Sequence, residues 1–301
     1  MTINALRTPD ERFANLPDFD YPVGYVDDLT GYEGLRIAYV DAGPADAQHV
    51  FLCLHGEPSW SFLYRRMIPV FLESGARVIA PDLLGFGRSD KPTAQSDYGF
   101  HFHRSYLLAL AERLDLKNIT LVVQDWGGLL GLTLPVDAGF APRLDRLIVM
   151  NTGLGLGRGM TEGFKNWKAY ALSTPDLPIG ALIARGTPHL TEAEIAAYDA
   201  PYPAPEYKAG AQIFPALVPV EPGMEGVDIS MAAAKYWSED WQGKSFMAIG
   251  MADPVLGAPA MMSLHKLIRG CPPPMEIEDG GHFVQEWGEP IARAALAYFQ
   301  E

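Results

Sequence analysis

The chain has 301 residues, enough for one large α/β domain or one domain carrying an insertion, and its 48% hydrophobic and 20% charged composition is that of a globular protein. With 37 acidic and 23 basic side chains the formal charge is -14, which repels phosphates and excludes nucleic acid or an anionic membrane surface as the natural partner; a neutral small molecule fits. No apolar run approaches the roughly 20 residues of a membrane span. Arg7, Asp10, Glu11 and Arg12 stand where a signal peptide needs an apolar stretch, and Cys53 and Cys271 read as buried thiols rather than a disulfide framework, so the cytoplasm is the expected compartment.

In chain order, residues 24–29 and 35–40 read as a strand pair and 50–54 as a fully buried strand. Helical spacing at 62–72 leads to a strand at 77–80 and a turn-rich segment at 81–90, where Asp82 reads as a structural residue satisfying loop amides. Helix and strand alternate through 102–114, 119–123, 129–137 and 144–150, which implies an α/β fold with a mostly parallel, doubly wound sheet. After Asn151 the pattern breaks into a glycine-rich run at 153–159 and short helices between prolines over 161–190 and 191–218, with no strand until 245–250. Such a stretch reads as a helical cap inserted over the C-terminal edge of the sheet, where open α/β sheets bind ligands. The expected division is a core of 1–151 and 230–301 with a cap of 152–229, the core closing on a helix at 258–269, a strand at 275–277 and a helix at 290–299.

Val122-Val123-Gln124-Asp125-Trp126-Gly127-Gly128 has the form of a nucleophile elbow, a strained strand-to-helix turn that exposes one side chain among small residues, but it holds a carboxylate where a hydroxyl is usual. A carboxylate that displaces a leaving group from saturated carbon forms an ester, whose carbonyl water then opens; a serine would form an inert ether. Asp125 therefore points to displacement at sp3 carbon, by halide loss or epoxide opening. By itself, an aspartate at a strand end also serves as a helix N-cap. Further along, Asp253 follows the strand at 245–250 and His282 follows the strand at 275–277, giving the chain order nucleophile, acid, histidine of α/β hydrolases. His282 would take a proton from water while Asp253 fixes its tautomer. Asn151, at the other position where this fold places the acid, carries no charge and reads as a turn residue.

His55-Gly56-Glu57-Pro58 follows the strand at 50–54, so the backbone N–H groups of Glu57 and Trp126 are the expected oxyanion hole. The Glu57 side chain poses a separate question, because a carboxylate would repel a departing anion unless it is protonated, displaced or bonded to water. Trp126 offers an indole donor suited to a halide, and Trp167, Trp237 and Trp241 are candidates for a second.

Taken with Arg7 to Phe13, Asp82 to Pro92, Phe164-Lys165-Asn166-Trp167 and Phe214-Pro215, these motifs resemble the haloalkane dehalogenases of the α/β-hydrolase superfamily, in the branch with an Asp-His-Asp triad and two halide-binding tryptophans. The resemblance runs nearly end to end. It implies Asp125 as nucleophile, His282 as base, Asp253 as the acid orienting it, Trp126 and Trp167 as halide donors, and Phe164, Phe214, Pro215 and Val218 as cavity walls. It also implies a monomer acting on a small neutral halogenated substrate and water, with halide released and no cofactor or metal. Two other readings stay open: an epoxide hydrolase drawing a proton from Tyr170, Tyr198, Tyr202 or Tyr207, and a silent binding protein on the same fold.

Overall fold

A computed structural model describes residues 3–300. Eight strands form one sheet: β1 (Val23–Val26), β2 (Ile37–Ala42), β3 (Val50–Leu54), β4 (Arg77–Pro81), β5 (Ile119–Gln124), β6 (Leu144–Met150), β7 (Lys244–Gly250) and β8 (Met275–Ile277). Their spatial order is β8-β7-β6-β5-β3-β4-β2-β1. β2 is antiparallel to both of its neighbours and all other pairs are parallel, in line with the alternation in the sequence. Every residue of β3 and β5 is buried, as strands covered on both faces must be, which is why their sequences are apolar runs rather than alternating ones. A short ribbon pairs Ala5–Leu6 with Lys91–Pro92.

The helices are α1 (Ile68–Glu73), α2 (Phe100–Arg113), α3 (Asp125–Gly131), α4 (Glu162–Ser173), α5 (Ile179–Arg185), α6 (Glu192–Asp199), α7 (Ala209–Leu217), α8 (Val227–Lys235), α9 (Ala258–His265) and α10 (Gly288–Gln300). Five of them, α4 to α8, lie between β6 and β7, and residue 230 falls inside α8. No described helix is long and apolar enough to cross a membrane. Three helices differ from the sequence reading, and the one expected at 258–269 already ends at His265. The helix expected at 129–137 begins four residues earlier, at Asp125, and ends at Gly131, with Pro135 in a separate 3-10 turn (Leu134–Val136). Proline cannot donate within a helix and clashes with the preceding turn, which ends it, while the glycines that open α3 are weak helix formers and hide its start. Residues 62–72 split into a 3-10 turn (Ser61–Tyr64) and α1.

A buried ionic cluster ties three segments together beside the site. Arg65, 2% exposed, meets both oxygens of Glu286 at 2.6 Å and Glu194 of α6 at 2.8 Å, and Arg66 bonds the same two carboxylates at 2.9 and 2.6 Å. The Tyr198 hydroxyl donates to Glu286, and Glu194 also closes a capping box with Thr191. The segment after β3, the segment after β8 and the inserted helix α6 are thereby joined through one set of charges. Burying ions is expensive, so the cluster's contribution shows when one member is removed and its partners stay buried and unpaired. Glu286→Gln should lower the unfolding free energy by about 3–5 kcal/mol in urea titrations. Lys165→Gln, which removes the exposed pair with Glu162, should change it little, and equal losses in the two variants would contradict this assignment.

Candidate active site

Asp125 sits at the point where β5 gives way to α3 without an intervening loop, and its φ is +49°, a left-handed conformation that is costly for a residue with a β-carbon. The turn is held from several sides. Asp125 N–H donates to Asn151 O at 3.0 Å, Thr152 Oγ1 donates to Asp125 O at 2.7 Å, and Glu57 N–H donates to Asp125 Oδ1 at 2.8 Å. Glycine at 127 is required by space, because a β-carbon there would stand 1.9 Å from Leu54 O. Trp126 is the second residue of α3, where a backbone N–H has no carbonyl of its own helix to bond.

His282 Nδ1 lies 2.8 Å from Asp253 Oδ2, and Nε2 lies 3.4 Å from Asp125 Oδ2. Burial pushes the Asp253 carboxyl up, but His282, Asn151 and the Val255 amide outweigh it and hold the group down to about 2. Burial opposes the charged form of His282, yet the Asp253 and Asp125 carboxylates raise its pKa well above the usual histidine value. Gln124 presents its amide nitrogen to His282 Nε2 and to His282 O, each at 3.0 Å, an arrangement that favours an unprotonated Nε2. The two carboxylates and the amide thus bias the imidazole in opposite directions.

These groups open onto a cavity of about 830 Å³ with mostly apolar walls. Glu57, Asp125, Trp126, Phe164, Trp167, Pro215, Val218, Asp253 and His282 all line it. Phe214 does not, contrary to the expectation that it would form a wall. It is fully buried one layer behind, with its ring 4.6 Å from that of Trp126, so it supports the indole instead of touching the cavity. The three candidate second indoles separate cleanly. Trp237 Nε1 donates to Leu132 O and Trp241 Nε1 to Ser245 Oγ, each at 2.8 Å, whereas Trp167 faces the cavity beside the Glu57 carboxyl. None of Tyr170, Tyr198, Tyr202 and Tyr207 lines it. Asp82 accepts from the Ser61 and Arg88 amides at 2.8 Å each, the structural part read for it in the sequence.

Two contributors went unrecognised in the sequence. Asn151 is more than a turn residue: its Nδ2 donates to Asp253 Oδ2 at 2.9 Å and its Oδ1 accepts from Gly250 N–H at 2.7 Å, which fixes the acid. Its place at the alternative acid position was the available signal. Gln124 carried none, since a glutamine ending a strand is unremarkable until His282 is folded against it.

The model of the α/β hydrolase fold family matches residues 49–289. A haloalkane dehalogenase from Psychrobacter cryohalolentis is 42% identical over 98% of this chain and 98% of its own. Another, from Mycobacterium marinum, is 42% identical over 94% of this chain and 95% of its own. Among solved structures, the tetrameric haloalkane dehalogenase DpaA from Paraglaciecola agarilytica matches with a TM-score of 0.97 at 53% identity, covering 99% of both chains. With a relationship of that depth over essentially its full length, the chain belongs to the haloalkane dehalogenase family of α/β hydrolases.

Proposed function

We propose that this protein hydrolyses small haloalkanes to an alcohol and a halide ion through a covalent ester on Asp125. The observation that carries this reading is the position of the Asp125 carboxylate at the floor of an apolar cavity. One oxygen is held by the Glu57 N–H, and the other faces His282. The free oxygen, Oδ2, attacks the halogen-bearing carbon; the C–O bond forms as the carbon–halogen bond breaks, and the electron pair leaves with the halide, which the Trp126 and Trp167 indoles receive.

Esterification removes the charge of Asp125, one of the two carboxylates that favour protonated His282. The facing Gln124 amide then favours the neutral imidazole, so a base becomes available when the ester is present. His282 takes a proton from water as it attacks the ester carbonyl. Negative charge grows on Asp125 Oδ1, where the N–H groups of Glu57 and Trp126 meet it, and acyl cleavage frees the alcohol and the carboxylate. In sum, R–X and water give R–OH, a proton and halide. Epoxide opening is less well served, because an alkoxide needs an acid, no tyrosine lines the cavity, and the Tyr198 and Tyr202 hydroxyls bond to Glu286 and Pro58 O.

In this reading residues 1–151 and 230–301 form the catalytic core and 152–229 the cap, which supplies Trp167, Phe164, Pro215 and Val218. All the reacting groups come from one chain, so a monomer suffices for turnover although DpaA is a tetramer. The free thiols Cys53 and Cys271 suit a reducing cytoplasm.

Supplied with 1-bromobutane, the protein should release bromide and Asp125→Ala should release none. His282→Phe should accumulate an Asp125 adduct heavier by one butyl group in intact-mass measurement. Diol from a simple epoxide without bromide from bromobutane would reject the assignment. Trp167→Phe should weaken bromide quenching of tryptophan fluorescence by roughly tenfold, the order of one hydrogen bond to a charged group. Trp237→Phe should leave the affinity near wild type, and equal effects would reject the assignment of Trp167.

A further inference from the structure

The reaction above uses the backbone of Glu57 and leaves its carboxyl unemployed. Yet this side chain is built into the site. The residue is 4% exposed, its backbone N–H donates to Asp125 Oδ1 at 2.8 Å, and it lines the cavity beside the Trp167 indole. Oε1 is enclosed and has no hydrogen-bond partner. An ionised carboxylate would not be left so, because a buried anion needs every oxygen paired.

Among the titratable groups around it, only His282 favours an anion. Asp125 of α3 is a like charge, and Tyr202, after α6, is uncharged with its own ionisation pushed well up by burial and by Glu57. His282, after β8, is the one group that could stabilise a negative Glu57, and it is already engaged by Asp253 and Asp125. The α4 neighbour, Trp167, carries no charge and offers the carboxyl one indole N–H, which leaves Oε1 unpaired.

We propose that Glu57 works as an un-ionised carboxylic acid whose O–H gives the departing halide a third hydrogen bond beside those of Trp126 and Trp167. The proposal rests on the dehalogenation reading and assigns its halide subsite one more catalytic residue. Burial, and then the charge of Asp125, raise the Glu57 pKa well above the carboxylate range, against the opposing pull of His282 and Trp167. In the displacement the Asp125–carbon bond forms, the carbon–halogen bond breaks and its electron pair goes to the halide. Glu57 keeps its proton throughout and no co-reactant is consumed. The arrangement answers the repulsion problem posed by an acid at this position, since a neutral carboxyl attracts the anion that a carboxylate would expel.

Bromide binding, read by tryptophan fluorescence from neutral to alkaline pH, tests this in wild type, Glu57→Gln and Glu57→Ala, with circular dichroism to establish that each variant is folded. Wild type should lose affinity as the pH rises through the elevated Glu57 pKa. The Gln variant keeps an N–H donor and cannot ionise, so it should bind within about threefold of wild type at neutral pH and show no alkaline loss. The Ala variant should bind roughly tenfold or more weakly at every pH. An alkaline loss that persists unchanged in the Gln variant would assign the titration to His282 or Tyr202 and overturn the proposal, as would wild-type affinity in the Ala variant. Should the Gln variant not fold, calorimetry of bromide binding to His282→Phe in two buffers decides the matter. Proton uptake on the alkaline limb supports Glu57, and its absence overturns the assignment. The two readings fail separately, because a wild type that releases no bromide from 1-bromobutane overturns the reaction assignment whatever its bromide affinity.

Discussion

The left-handed backbone at Asp125 is the constraint on which the site depends. A strand that turned into its helix through an ordinary loop would carry the carboxylate away from the sheet edge. The abrupt turn, at a φ of +49°, instead lifts it into the cavity within reach of a donor from β3's loop and a histidine from β8's. The strain persists because its surroundings leave no other arrangement. Leu54 O crowds Gly127, Asn151 O receives the Asp125 amide, and Thr152 holds its carbonyl. Four parallel strands, β3, β5, β6 and β7, end next to one another, and each delivers one part: Glu57, Asp125, Asn151 with Thr152, and Asp253.

Electrostatics give the site its sequence of events. His282 lies between the Asp253 and Asp125 carboxylates and Glu57 lies beside Asp125, so the proton settings of His282 and Glu57 depend on the charges their neighbours carry. The buried cluster of Arg65, Arg66, Glu194 and Glu286 sits one step further out and locks the loops after β3 and β8 to α6, so the geometry that sets those charges is rigidly supported. In an apolar cavity such fixed charges act with little screening, which is where a carboxylate is an effective nucleophile and an indole a useful anion donor.

Much of this was legible from the chain because the motifs are local. The apolar strand ending in Gln124-Asp125-Trp126, and acid and histidine each placed just past a strand, place three side chains together once the strands are parallel neighbours. What escaped depends on rotation and on tertiary partners. Phe214 and Pro215 are adjacent in α7, but one residue is about 100° of helical turn, so Pro215 meets the cavity while Phe214 packs behind Trp126. Residue type alone offered three indoles and only the resemblance singled out Trp167; the carbonyl of Leu132 and the hydroxyl of Ser245 claim the other two.

The central claim is that an oxygen of Asp125 bonds to the substrate carbon and is later released by acyl cleavage. It is tested most directly by a single turnover of excess enzyme on bromobutane in heavy-oxygen water, followed by mass analysis of the Asp125 peptide and the butanol. One heavy oxygen should enter the aspartate carboxylate while the butanol stays unlabelled. Label in the butanol with none in Asp125 would mean that water attacks the alkyl carbon directly and would contradict the covalent route.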